Sequence, residues 1–444
     1  MSLDRRLFLK GSLAAGAGLA IPLRAEAKPW LATPHGLPTV QLLTDETSTQ
    51  IRVLTDPEVE IAYGVTASDG SHPVLEQALP VRNPFNEREA IEHLTITGLN
   101  LKATYTLKMY NRATGEERDS RTFRALDTRK PGGRFALVSC MLDLLIPIQA
   151  YMWEAMEKAN VDVIFIIGDA SYTDALGTDG TLATIWNRHI QSKRAIDLYF
   201  FSHLKPVLAT WDDHDFAGNN ADKNTPLNGH TQFVFKTMLG WTPRGTAIAG
   251  PGVATAVELF GQRFFLMDGR TWRDAYETPR GLHWGTGQMD WLMQNLAKDA
   301  RPAWLLNGSQ YYGQYLHKDS FEERHPYQFR ELITRLREVE APVMFGSGDV
   351  HFSEIMKIEK GQLGYETIEI TSSSMHSMTA PWIDKRNTNP RRASSTWHHN
   401  FVVGQGDATS PDKFMFRATS TGRGMNVYFD RSGTIRRTSK NSVR

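Results

Sequence analysis

The chain has 444 residues, with 50 Lys+Arg against 49 Asp+Glu for a formal net charge of +1, 41% hydrophobic residues and 22% charged residues. That balance belongs to a globular protein and excludes a disordered tail, a collagen-like chain and a multi-span membrane protein. It also argues against holding nucleic acid by bulk positive charge. The length predicts two or three domains, and the single cysteine, Cys140, excludes an intramolecular disulfide.

The N-terminus reads Asp4-Arg5-Arg6-Leu7-Phe8-Leu9-Lys10, an arginine pair ahead of Phe-Leu-Lys that resembles a twin-arginine export signal. Residues 11–23 carry no charge but fall short of the roughly 20 apolar residues a spanning helix needs. Ala25-Glu26-Ala27 has the A-x-A form of a cleavage site. Residues 1–27 are therefore expected to be a signal peptide read by the twin-arginine machinery. The protein is expected in the periplasm or secreted, with no transmembrane helix. That pathway carries folded proteins, often with metal already loaded, so the leader hints at a metalloprotein.

Between residues 40 and 126, short runs alternate apolar and polar side chains: 50–54, 59–65, 90–96, 104–110 and 121–126. Turn residues such as Ser68-Asp69-Gly70 and Thr114-Gly115 separate them. This pattern predicts an all-β sandwich over residues 35–126. His93-Leu94-Thr95-Ile96-Thr97-Gly98-Leu99 followed by Tyr105 looks like a fibronectin-III-like module. Residues 127–133 are polar and turn-rich, a linker. Beyond them, apolar runs at 135–138, 161–167, 206–210, 263–267, 303–306 and 342–345 alternate with helical segments at 146–158, 182–204, 288–297 and 327–339. Residues 131–435 are thus predicted to be an α/β layered domain with buried strands, later strands falling at 366–371 and 425–429. Asp430-Arg431-Ser432-Gly433 reads as a turn, and 384–400 as a polar loop.

Each buried run ends in polar residues: Ser139-Cys140, Gly168-Asp169, Asp212-Asp213-His214-Asp215, Asp268-Gly269-Arg270, Asn307, and Asp349-Val350-His351. Ligands of α/β sheets bind at the carboxyl ends of strands. If the strands are parallel neighbours, these groups meet on one rim. Asp169, Asp213 and Asp349 would repel one another there unless a cation neutralised them, so their convergence implies metal. The Trp211–Asp215 stretch carries the strongest signal, because three Asp and a His are costly to place at the end of an apolar strand.

In this order the motifs resemble the PhoD-type alkaline phosphatase/phosphodiesterase family of metallophosphoesterases. The resemblance rests on Ser139-Cys140, Gly168-Asp169-x-x-Tyr172, Trp211-Asp212-Asp213-His214 and Gly348-Asp349-Val350-His351-Phe352-Ser353. Asp268-x-Arg270 and Gly287-Gln288-x-x-Trp291-Leu292 fit its middle region. It implies a metallophosphoesterase-like layered sandwich behind a fibronectin-III-like domain, using ferric iron plus calcium. By that resemblance iron takes Cys140, Asp169, Tyr172 and His351, a thiolate, carboxylate, phenolate and imidazole that together suit a ferric ion. Calcium takes oxygens from Asp169, Asp213 and Asp349, with Asp169 as the bridge. Asp212 either ligates or orients its neighbour. A hydroxide shared by the metals is expected to attack phosphorus in line, His214 serving the leaving oxygen. Asp215 is expected to hold the His214 ring, and Arg270, with Arg188 or His189 as alternatives, to bind phosphate oxygens.

The chain departs from that family at two places. Asn219 and Asn220 lie one residue too far from the Asp-Asp-His run for a role to carry over. Residues 423–444 read as a hairpin and a basic tail rather than a lid helix, which implies a more open pocket. Two other functions share the motifs: a phospholipase D-like activity on lipid phosphodiesters, and a non-catalytic envelope binding protein with a structural metal site.

Overall fold

In a computed structural model, the structure describes residues 36–437 except 176–179, 241–245, 277, 314–318 and 411–412. The predicted signal peptide lies outside the described residues. The buried runs after residue 133 are strands because they are continuous apolar segments of four or five residues, too short to make a helix and covered on both faces. Arg134–Val138, Val163–Ile167 and Val207–Thr210 lie side by side in parallel. Asn400–Ser410, Lys413–Gly422 and Val427–Arg436 continue the same six-stranded sheet in antiparallel sense.

A second, seven-stranded sheet has a parallel centre formed by Gln262–Leu266, Ala303–Asn307, Val343–Ser347 and Thr367–Thr371. Thr255–Leu259 flanks it on one side, and Ser353–Ile358 with Arg392–Thr396 on the other, all antiparallel. The two sheets share one core. Phe135 and Phe165 of the first meet Phe264 and Trp304 of the second, with ring centroids 5.0 Å apart for Phe135–Phe264, 5.4 Å for Phe135–Trp304 and 4.8 Å for Phe165–Phe264. Each such pair adds about 0.5–1.5 kcal/mol beyond the area it buries. Gly404 makes room for this cluster, since a Cβ there would stand 2.3 Å from the Phe135 ring.

The helices fall close to the predicted spans. Ile146–Lys158 starts with a proline in its first turn, and Leu182–Ala195 is capped by the Thr181 hydroxyl. The run read as one helix over 182–204 breaks at Ile196, whose backbone is extended, and resumes as a short 3-10 turn at Asp197–Phe200. A tertiary contact accounts for the break: the Asp197 N–H donates to Gln149 Oε1 at 3.0 Å instead of to its own helix. Gly285–Leu296 and Pro326–Leu336 complete the longer predicted helices.

Two predictions need correction. Asp430–Gly433 does not turn; it runs straight within Val427–Arg436, with Asp430 opposite Thr419 and Gly433 opposite Phe416. The Arg417–Asp430 pair at 2.5 Å and the close approach of the Phe416 ring to Gly433 replace the turn that composition suggests. The polar loop at 384–400 contains the end of a short helix, Pro381–Arg386, and the edge strand Arg392–Thr396. Two of its arginines are engaged: Arg391 with Glu322 and Glu359, Arg392 with Glu354 and Asp384. Among the described residues the chain ends in strand, with no C-terminal helix.

The N-terminal region is built from a five-stranded and a three-stranded antiparallel sheet. Ile51, Val53, Leu94, Ile96, Tyr105, Leu107 and Met109 fill the space between them. Val40, Leu42, Leu54 and Ile91 belong instead to the large core of the following region. Arg194–Glu89 at 2.7 Å and Arg121 Nη1 to Phe201 O at 3.0 Å fasten the same junction. None of the described helices is long and apolar enough to cross a membrane.

Candidate metal centre

Because the central strands of each sheet are parallel, their carboxyl ends open toward the same rim, and the chain turns sharply as it leaves them. Cys140, Asp169, Asp349 and His351 have φ of 57°, 55°, 68° and 61°, in the left-handed region. That backbone costs a non-glycine residue about 1–3 kcal/mol, and such strain collects at functional sites. Glycines let the rim close up: a Cβ on Gly168 would lie 2.6 Å from Asp212 Cβ, and one on Gly308 2.4 Å from Asp212 Cγ.

The strand ends bring the candidate ligands into two adjoining sets. Cys140 Sγ lies 3.4 Å from Asp169 Oδ2, and the Tyr172 hydroxyl lies 3.5 Å from His351 Nε2. The Ser373 hydroxyl joins these two halves, 3.0 Å from Cys140 Sγ and accepting the His351 N–H at 2.8 Å. Donor atoms of Asp169, Asp213 and His214 all lie within 4.8 Å of one another, and so do those of Asp212, Asp213 and Asp349. Asp213 is common to both of these groups.

The electrostatics call for a cation. Burial raises Asp212 and Asp215 to about 7. It also raises Asp169 well above the usual carboxylate range, helped by Asp213 and Asp212. Burial, then Asp169, push the Cys140 thiol up; burial, Cys140 and Asp169 do the same to the Tyr172 phenol. Asp213 goes the other way, to about 2, because His214 and Arg270 outweigh its burial. Burial opposes a charge on His214, but Asp213, Asp169 and Asp174 together hold its pKa well above the ordinary imidazole value. Asp169 Oδ1 and Asp212 Oδ2 are buried without a hydrogen-bond partner among the described residues. Such atoms cost several kcal/mol unless an ion meets them. Thiol, phenol, imidazole and carboxylates around those oxygens fit a metal pair in which one ion is soft enough for sulfur and the other hard.

The supporting residues differ from the sequence reading. Asp215 does not touch the His214 ring. Its carboxylate accepts the Ser171 N–H at 2.8 Å and the Asp212 N–H at 3.2 Å, which ties the Asp169 loop to the Asp212–Asp213 turn. Asp174 holds the ring instead, 2.6 Å from His214 Nδ1, while Tyr172 stacks on its face at 4.2 Å between centroids. Arg270 does not face a substrate. It is fully buried, 2.6 Å from Asp212, 3.4 Å from Asp319 and 3.1 Å from the Ser309 hydroxyl. Arg188 is also buried, paired with Asp143 at 2.5 Å and donating to the Tyr172 carbonyl at 3.0 Å; His189 has no exposed surface. The Asn220 N–H donates to Asp213 Oδ2 at 2.7 Å, so the asparagine pair supports the site through its backbone.

Asp174, Ser373 and Asn220 were the supports that sequence reasoning missed. Ser372-Ser373-Ser374 follows Thr367–Thr371 and obeys the same strand-end rule, so that rule, carried one strand further, finds Ser373. Asp174 has only its place two residues after Tyr172 to mark it.

No protein-family model matches the chain, and no curated protein does. Among solved structures, one titled "Structure of PhoD" matches with a TM-score of 0.63 and 16% identity, covering 91% of this chain and 92% of that chain. Over nearly its whole length, the chain has the fold of PhoD.

Proposed function

We propose that the protein is an exported, metal-dependent phosphoric ester hydrolase acting on phosphate monoesters or diesters, in the manner of an alkaline phosphatase/phosphodiesterase. The observation that carries this reading is the juxtaposition of partnerless buried carboxylate oxygens with a clamped imidazole. Asp169 and Asp212 need cations, whereas a purely structural metal site has no need of His214 oriented by Asp174. In this reading the architecture is a metallophosphoesterase-like layered sandwich, and the N-terminal sheets form a fibronectin-III-like module.

Cys140, Asp169, Tyr172 and His351 would hold iron, and Asp213, Asp349 and Asp212, with Asp169, the harder ion, taken to be calcium. When bound, such ions lower the pKa of a water nucleophile and neutralise phosphoryl oxygens. The chain's own contribution is placement. With Nδ1 fixed on Asp174, His214 Nε2 is the nitrogen free to hydrogen-bond the leaving oxygen and pass it a proton. Asp215 keeps the two ligand-bearing loops in register, and Arg270 fixes Asp212. Hydrolysis of a chromogenic phosphodiester is expected to fall by about 10²-fold or more in His214→Ala with metal retained. Unchanged activity in that variant would overturn the assignment. Faster hydrolysis of lipid vesicles than of soluble esters would redirect the reading to a phospholipase.

A further inference from the structure

Asp213 takes one backbone N–H on each carboxylate oxygen: His214 donates to Oδ1 at 3.0 Å and Asn220 to Oδ2 at 2.7 Å. A carboxylate oxygen has two lone pairs, so each keeps one for a cation, and the two N–H groups set the plane in which those lone pairs lie. The His214 N–H is adjacent in the chain and comes with the turn. The Asn220 N–H arrives from a loop and has to be held in place.

That loop, 217–223, is held largely from outside. Asn220 has φ of 60°, a left-handed conformation that asparagine tolerates better than most residues but still adopts at a cost. Three ties reach the loop from the segment after Gln262–Leu266, in the other sheet. Arg270 Nη1 donates to the Ala221 carbonyl at 3.3 Å, the Lys223 N–H donates to the Arg273 carbonyl at 2.9 Å, and the Tyr276 hydroxyl donates to Asn220 Oδ1 at 2.7 Å. Of these, the tyrosine contact grips Asn220 itself. Tyr276 is fixed in turn: the Arg324 guanidinium lies 4.5 Å and that of Arg273 5.1 Å from its ring centroid. Arg273 Nη2 also donates to the phenol oxygen at 3.3 Å, which leaves the phenol proton for Asn220. Burial, then Asp319, push the Tyr276 phenol up, so it remains a donor at neutral pH.

We propose that Tyr276 is a positioning residue for the harder ion: through the Asn220 side chain its hydroxyl fixes the backbone N–H that aims Asp213 Oδ2. The inference rests on the metal-dependent reading above. Among the described residues the contacts of Tyr276 reach none of Cys140, Tyr172 and His351, so its effect falls on one half of the centre and spares the other.

The test titrates metal-free full chain with Ca²⁺ alone by calorimetry. Tyr276→Phe, which removes the hydroxyl and keeps the ring, is expected to raise the Ca²⁺ Kd by about tenfold or more, the usual cost of losing a group that orients a ligand. In protein purified with its metal, the same variant is expected to keep the phenolate-to-iron absorption unchanged. Asn220→Gly keeps the N–H and suits the left-handed backbone but lacks the amide that Tyr276 holds. It is expected to weaken Ca²⁺ to a similar degree, and adding Tyr276→Phe to it is expected to change nothing further. A wild-type Kd in Tyr276→Phe overturns the assignment with the metal reading standing. So does a full tenfold loss that persists in the Asn220→Gly background, or an iron absorption lost along with the calcium, which would make the tyrosine a general prop. Wild-type protein that takes up no Ca²⁺ takes down the assignment of the harder ion and this inference with it.

Discussion

Replacing Arg270 by Met separates two roles for a buried guanidinium. The side chain has no exposed surface and reaches Asp212 at 2.6 Å, Asp319 at 3.4 Å, Ser309 Oγ at 3.1 Å and the Ala221 carbonyl at 3.3 Å. Arg273 still pairs with Asp319 after the substitution, so one carboxylate, that of Asp212, is left without its cation. Breaking one buried pair costs about 3–5 kcal/mol, because the surviving charge stays desolvated. In a chain of this size, with about 2.1 cal/mol/K of unfolding entropy per residue, that is a fall in Tm of roughly 3–6 °C. The assay is urea unfolding and thermal melting of Arg270→Met against wild type, both stripped of metal so that no ion substitutes for the guanidinium. A loss below about 1 kcal/mol, together with a raised KM for phosphate esters, would mean that Arg270 grips substrate and that the buried-pair reasoning is wrong.

The metal-free protein is expected to lose stability as pH rises from about 4 to about 8. Asp212 and Asp215, raised to about 7, and Asp169, raised well above the usual carboxylate range, bind protons in the folded state that the unfolded chain has released. Their contribution is complete below the unfolded carboxylate range and is lost as pH passes through the folded values. Asp215→Asn should flatten its share of that slope, and a metal-free melting temperature that climbs over this window would contradict the assignment. Asp174→Asn should lower kcat by about 10- to 100-fold with metal content unchanged, since His214 keeps its place in the chain but loses the bond that aims it. Wild-type kcat in that variant would leave the imidazole oriented by something else.

The parallel strands were legible because a run such as 163–167 is apolar at every position and has no other use than a covered strand. The rim was legible for the same reason, since Asp169, Asp213 and Asp349 stand where such runs stop. The C-terminal strands were harder. Asn400–Ser410 and Lys413–Gly422 carry Gly404, Gly406, Asp407 and Arg417, residues that read locally as loop, and only pairing with Arg134–Val138 and with each other makes them strand. Arg270 was misread because a strand-end arginine looks the same in sequence whether it points to solvent or inward. Burial against Asp212 and Asp319 is a tertiary fact with no local pattern. Asp174 and Asp215 exchanged roles for a related reason: both are near His214 in the fold, but sequence shows only the one that is adjacent in the chain.

The central claim is that residues from four strand ends form one cage for cations. Metal content of the full chain, folded in its native compartment and purified without chelator, tests it most directly. The expected result is at least two metal equivalents per chain, iron and calcium among them, with a visible phenolate-to-iron absorption that disappears in Tyr172→Phe and metal that is lost in Asp169→Asn. A colourless wild-type protein with no bound metal by elemental analysis would contradict it.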